Sequence, residues 1–199
     1  MKRLAKTSLI GFLFGVLFIH GNAQAQTDTS HRVKKSLAEQ CAPDLSQATE
    51  RIFANPGGKS WNEYATVKQA PMLDGNQGEL MIAVKTSASG RRFARFVGYG
   101  EDNARYQGNC YDHNGRLVSL HYEMRTAWGW GYEDKRTFSS RNKELSKSVR
   151  FFDLKNNQAI ARPVQAGDVP DFTKPSIYNN FDSLPIAGAL KQKANATQK

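Results

Sequence analysis

The sequence predicts an α+β fold: an N-terminal helical segment packed on an antiparallel meander of about six or seven strands. Three observations predict it. Apolar residues from Val33 to Ile52 recur at spacings of three and four, the helical period, and beyond Lys59 the spacing becomes two. Turn signals punctuate the second region, the clearest being Asp112-His113-Asn114-Gly115. The chain's two cysteines, Cys41 and Cys110, fall one in each region, so a bond between them staples helix to sheet.

Met1 to Ala25 reads as an export leader. Lys2, Arg3 and Lys6 form a charged start, Leu9 to Ile19 is apolar, and Ala23-Gln24-Ala25 is the small-x-small pattern that a signal peptidase accommodates. The apolar run is shorter than the roughly 20 residues that cross a bilayer. No second such run follows, so the mature chain is expected to have no transmembrane segment and to act in the periplasm or as a secreted protein. In that oxidising setting two cysteines pair. Closing so long a loop stabilises the fold by about 4 kcal/mol in the chain-entropy model.

Within the helical region, Val33, Leu37 and Cys41 are four apart, and Leu45, Ala48 and Ile52 continue the face. Pro43 divides the pattern into two short helices or one kinked helix, and Asn55-Pro56-Gly57-Gly58 ends it. Trp61 to Val67 reads as a first strand. Leu80, Ile82 and Val84 alternate in a second, and Ser87 to Gly90 joins it to Phe93–Tyr99, where Phe93, Val97 and Tyr99 oppose Ala94 and Phe96.

Tyr106–Asp112 and Leu117–Thr126 form the strongest hairpin, because Asn-Gly supplies the positive φ angles of a tight turn. On its second strand, Val118, Leu120, Tyr122 and Met124 face one way, and Leu117, Ser119, His121, Glu123 and Arg125 the other. Tyr132–Ser139 and Leu145–Leu154 extend the meander. Phe152-Asp153 with Asn156-Asn157 repeats the aromatic-Asp turn of Tyr111-Asp112 with Asn114-Gly115. Pro170, Pro175 and Pro185 forbid regular structure beyond Pro163, where Phe172, Ile177, Tyr178 and Phe181 are placed to pin the chain across the sheet. The domain divisions are a leader over 1–25, a single α+β domain over 26–182 and a disordered basic tail over 183–199.

Of the formal +10, three charges lie in the leader and three in the tail, leaving +4 for residues 26–182. An exported chain so modestly charged is a poor nucleic-acid binder. The positive charge concentrates between Lys85 and Arg162, where 15 Lys and Arg meet 8 Asp and Glu. Arg95, Arg125 and Arg150 belong to this set. If they share a sheet face, their forked donors suit carboxylate or phosphate; otherwise they are a solvated face that discourages edge pairing.

Thr126-Ala127-Trp128-Gly129-Trp130-Gly131-Tyr132 is the most unusual local sequence. Such alternation either presents flat rings beside accessible backbone, as sugar and peptide grooves do, or folds the rings into the core around a bend. His121 lies on a strand face with Glu123 and Arg125; a carboxylate or hydroxyl within about 3 Å of it would be needed for acid–base chemistry. No metal-ligand spacing, nucleophile elbow or phosphate-cradling loop appears, so neither metal nor cofactor is expected. The sequence therefore points to a non-catalytic exported protein that binds an envelope ligand or protein partner on one sheet face, through Arg95, His121, Arg125, Trp128, Trp130 and Arg150. The alternatives are an interaction module, such as an inhibitor or assembly subunit, and a cell-wall hydrolase.

Overall fold

A computed structural model describes residues 36–58, 60–70, 80–167 and 174–196; the leader predicted over 1–25 lies outside them. The strands are β1 (Glu50–Ala54), β2 (Asn62–Tyr64), β3 (Leu80–Thr86), β4 (Arg92–Tyr99), β5 (Asn103–Tyr111), β6 (Leu117–Thr126), β7 (Trp130–Phe138), β8 (Glu144–Asp153) and β9 (Ala159–Ile160). They form one antiparallel sheet in the order β2-β1-β3-β4-β5-β6-β7-β8-β9. The sheet thus has nine strands, more than the six or seven predicted, and the fold is mostly antiparallel β-sheet with few helices. Among the described residues the α-helices are α1 (Leu37–Cys41) and α2 (Ala187–Ala196).

The excess strands have identifiable origins. Ile52 extends the three-and-four spacing of Leu45 and Ala48, which made Glu50–Ala54 read as helix. Instead Ile52 and Phe53 are both buried, on opposite faces of a strand held between β2 and β3. Consecutive burial of this kind fits a strand covered on both faces. β9 contributes only two residues, too short for a period to register, whereas β2 is a three-residue part of the strand predicted over Trp61–Val67.

Local chemistry explains the ends of the elements. Ser36 caps α1 reciprocally: its hydroxyl accepts from the Glu39 N–H, and the Glu39 carboxylate accepts from the Ser36 N–H at 2.6 Å. Pro43 opens a 3₁₀ turn over Pro43–Ser46. In the β5–β6 turn, Asp112 Oδ1 accepts from the N–H groups of Asn114 and Arg116, both at 2.9 Å, and Gly115 sits at φ +78°. The β8–β9 turn repeats the device: Asp153 Oδ1 accepts from Lys155 and Asn156, with Asn157 at φ +60°. A register shift at Cys110/Tyr111 turns Leu117 into the main core and Val118 toward the other face, the reverse of the predicted alternation at those two residues. From Ser119 onward the predicted alternation holds.

The two faces of the sheet differ. One, the core face, buries Phe53, Ile82, Phe96, Leu120, Met124 and Trp130. The chain beyond β9 covers it: Gln107 exchanges two hydrogen bonds with the Ser176 backbone, Tyr178 stacks on Phe96 at 5.5 Å, and Phe181, Leu184 and Ile186 are buried. Residues 183–199, predicted to be disordered, include α2, whose Ala189 and Leu190 pack on this core. Ala, Leu, Gln and Lys are strong helix formers, and low hydropathy alone obscures that. On the second face, α1 and the 3₁₀ turn pack Ala38 and Leu45 against Phe93 and Cys110. The Cys41–Cys110 disulfide, with Cα atoms 5.5 Å apart, fastens α1 to β5. No helix among the described residues is long and apolar enough to cross a membrane.

Candidate functional site

Strand periodicity places His121, Glu123 and Arg125 of β6 together on the second face. Across the ladder His121 meets Lys135, Glu123 meets Glu133, and Arg125 meets Gly131; Glu133 in turn meets Arg150 of β8. Together with Ser36, Leu37 and Gln40 at the α1 end, these side chains line an open groove of about 800 Å³.

Glu133 organises the groove. Its carboxylate accepts from His121 Nε2 at 2.8 Å, Lys135 Nζ at 2.8 Å and Arg150 Nε at 2.6 Å. Burial alone pushes its pKa up, but Lys135, Arg150 and His121 together outweigh burial and hold the carboxyl at about 2. Arg150 also donates to the Asn157 backbone and side chain, both at 3.1 Å, and its guanidinium lies 4.9 Å over the Phe152 ring. Phe152 occupies the space above Gly131, where even a methyl group would overlap its ring. At the groove's far end Arg125 donates to Glu123 and lies over Tyr106; the Glu123 hydrogen bond raises the arginine's pKa.

No protein-family model, curated protein or solved structure matches this chain.

Of the six residues predicted to bind, His121, Arg125 and Arg150 converge on the groove. Arg95 shares their face but lies two strands from His121, paired with Glu50 at 3.5 Å. Gly108 separates the two, and Leu37 of α1 sits over it, so the helix divides Arg95 from the groove. Trp128 and Trp130 go different ways. Trp128 is 47% exposed at the β6–β7 turn, whereas Trp130 is 4% exposed in the core, and the rings stack at 6.3 Å. Gly129, at φ +85°, makes this divergence possible.

Glu123, noted beside His121 but not predicted to bind, completes the groove together with Glu133 and Lys135, which were missed in the sequence. Their signal is the period-two spacing of Glu133 and Lys135, which gains meaning only when register sets Glu133 beside His121 and Arg150. His121, Glu123 and Glu133 offer ligand atoms within 4.8 Å of one another, a spacing open to a metal ion. Both carboxylates already hold cationic side chains, so an incoming cation must displace them. His121 also meets the distance criterion for acid–base chemistry, through Glu133 rather than its strand neighbour Glu123. Its other ring nitrogen, Nδ1, is buried and has no hydrogen-bond partner among the described residues. Proton exchange with a substrate needs that nitrogen to be reachable, and burial closes it off.

Proposed function

We propose that this chain is an exported, non-catalytic binding protein that holds a small hydrophilic ligand in the groove between α1 and strands β6–β8. The supporting observation is the convergence of His121, Arg125 and Arg150 with Glu123, Glu133 and Lys135 on one open cavity. The Arg125 and Lys135 side chains are largely exposed and engage carboxylates through single contacts, leaving donors directed to solvent. Ligands with clustered acceptors, such as acidic sugars or other small anions, suit such donors. Native mass spectrometry of the chain recovered from envelope and secreted fractions tests the reading. The expected spectrum shows a chain beginning at Gln26 with a bound small-molecule mass that the Arg125→Ala/Lys135→Ala variant loses. A wild-type chain without bound mass, or a variant that retains it, overturns the reading.

An interaction module is the second reading, favoured by the β8 edge. β9 pairs only with Phe151 and Phe152, so among the described residues Glu144–Val149 have β7 on one side and no strand on the other. All six are exposed, including Leu145 at 66% and Val149 at 51%. Free edges of this kind accept a partner's strand. Loss of a co-purifying protein on Val149→Lys substitution would favour this reading over the groove.

A further inference from the structure

A second cavity, of about 560 Å³, opens on the core face between the β1–β3–β4 end of the sheet and α2. Its volume lies within the range of small-molecule sites. Three cationic residues line it, Arg51, Arg92 and Lys191, against one acid, Asp182. Their states differ. Arg51 is held bidentately by Glu63, with both contacts at 3.0 Å. Arg92 has no carboxylate or hydrogen-bonding partner for its guanidinium among the described residues, and it rests 4.9 Å over the Phe181 ring. Lys191 is exposed, and among the described residues its ammonium is likewise unpaired. A half-buried guanidinium fixed by stacking yet lacking a counter-charge is pre-organised for an oxyanion, because its planar fork matches the geometry of carboxylate and phosphate. Thr49 and Thr86 add hydroxyl donors to the same wall, while Ala187 and Leu190 of α2 present an apolar one.

We infer that this cavity binds a small organic anion, its phosphate or carboxylate oxygens on Arg92 and Lys191 and its apolar body against α2. The site is separate from the groove of the proposed function, which lies on the opposite face of the sheet. Isothermal titration of the full chain with phenyl phosphate, benzoate and inorganic phosphate tests it, together with co-sedimentation on phosphatidylglycerol vesicles. Phenyl phosphate or benzoate is expected to bind more tightly than inorganic phosphate. Arg92→Gln should weaken that binding by roughly 10- to 100-fold, the usual worth of a charged hydrogen bond. Asp182→Asn, which removes the opposing charge at an exposed position, should tighten it, and Lys191→Gln should weaken it; neither contributes to the core if Arg92→Gln impairs folding. Arg141→Ala, at an exposed arginine in the turn between β7 and β8 that lines neither cavity, should leave it unchanged. Vesicle binding that depends on Arg92 supports the same chemistry and names a lipid headgroup as its source. No saturable binding of either organic anion up to about 10 mM, a weak limit even for fragments, combined with no Arg92-dependent vesicle binding, overturns the inference. Equal losses in Arg92→Gln and Arg141→Ala also overturn it.

Discussion

Glu133 and Asp134 are neighbours on β7 that look in opposite directions, and their surroundings separate the two faces of the sheet. Asp134 points into the core face, where it is fully buried, and Arg136 grips it with contacts of 2.9 and 2.6 Å. Arg136 is itself largely buried and reaches Glu144 at the rim. Glu133 points into the groove and is shared by three donors from three positions, two of them on other strands. One carboxylate is therefore held by a single cation, with the Tyr132 hydroxyl donating at 3.5 Å, inside a packed core. The other is the hub of a network that opens to solvent. Both are ion pairs on one strand; only the second is placed to respond to what enters from outside.

The strongest test breaks the buried pair. Asp134→Asn leaves the Arg136 guanidinium without its main counter-charge in a dry environment, and such losses cost roughly 3–5 kcal/mol. Urea unfolding at neutral pH should show a fall of that size; a loss under about 1 kcal/mol would mean that Glu144 alone satisfies Arg136 and that the two faces are less different than described.

Acid should act on the other face. The Glu133 pKa of about 2 in the folded protein lies below its ordinary value of 4.5. Its contribution is therefore fully present above about pH 5 and drains away as pH falls toward 2, by roughly 3 kcal/mol as an upper figure. Urea midpoints between pH 6 and pH 2.5 should decline more steeply for wild type than for Glu133→Gln. Parallel declines would show that the hub does not carry the pH dependence. The smallest effect is expected where the faces meet, at the β6–β7 turn. Trp128→Ala removes one ring of a stacked pair that is already half in water and should cost only about 0.5–1.5 kcal/mol. A larger loss would place Trp128 in the core's account of stability rather than at its margin.

The parts of this arrangement that local chemistry dictates were legible in the sequence. Asn114-Gly115 announced its hairpin, although only Gly115 takes the positive φ expected of the pair, and the cysteine pairing followed from an even count in a chain read as exported. The faces of β4 were also correct residue by residue. β1 was hidden because Glu50–Ala54 is too short to show its own period against the helical spacing that runs into it. The groove was half visible: His121 and Arg125 share a strand, so alternation alone joins them. Arg150 needed the register of two further ladders, and Glu133 needed the knowledge that its neighbours on three sides are donors. Asp134 could not be told from Glu133 at all, since adjacent acids on a strand look equivalent until one face is known to be covered.

Gly131 gives the network a dependence that charge counting overlooks. Because it has no side chain, the Phe152 ring settles against the backbone, and the Arg150 guanidinium settles on that ring. The height of the aromatic shelf thus sets how far one positive charge stands from Glu133. An alanine at this position would alter no charge, yet its methyl group would push the Phe152 ring aside and so retune the electrostatics of the groove from below. In this sheet the residue with no side chain acts as a spacer for an ion pair two strands wide.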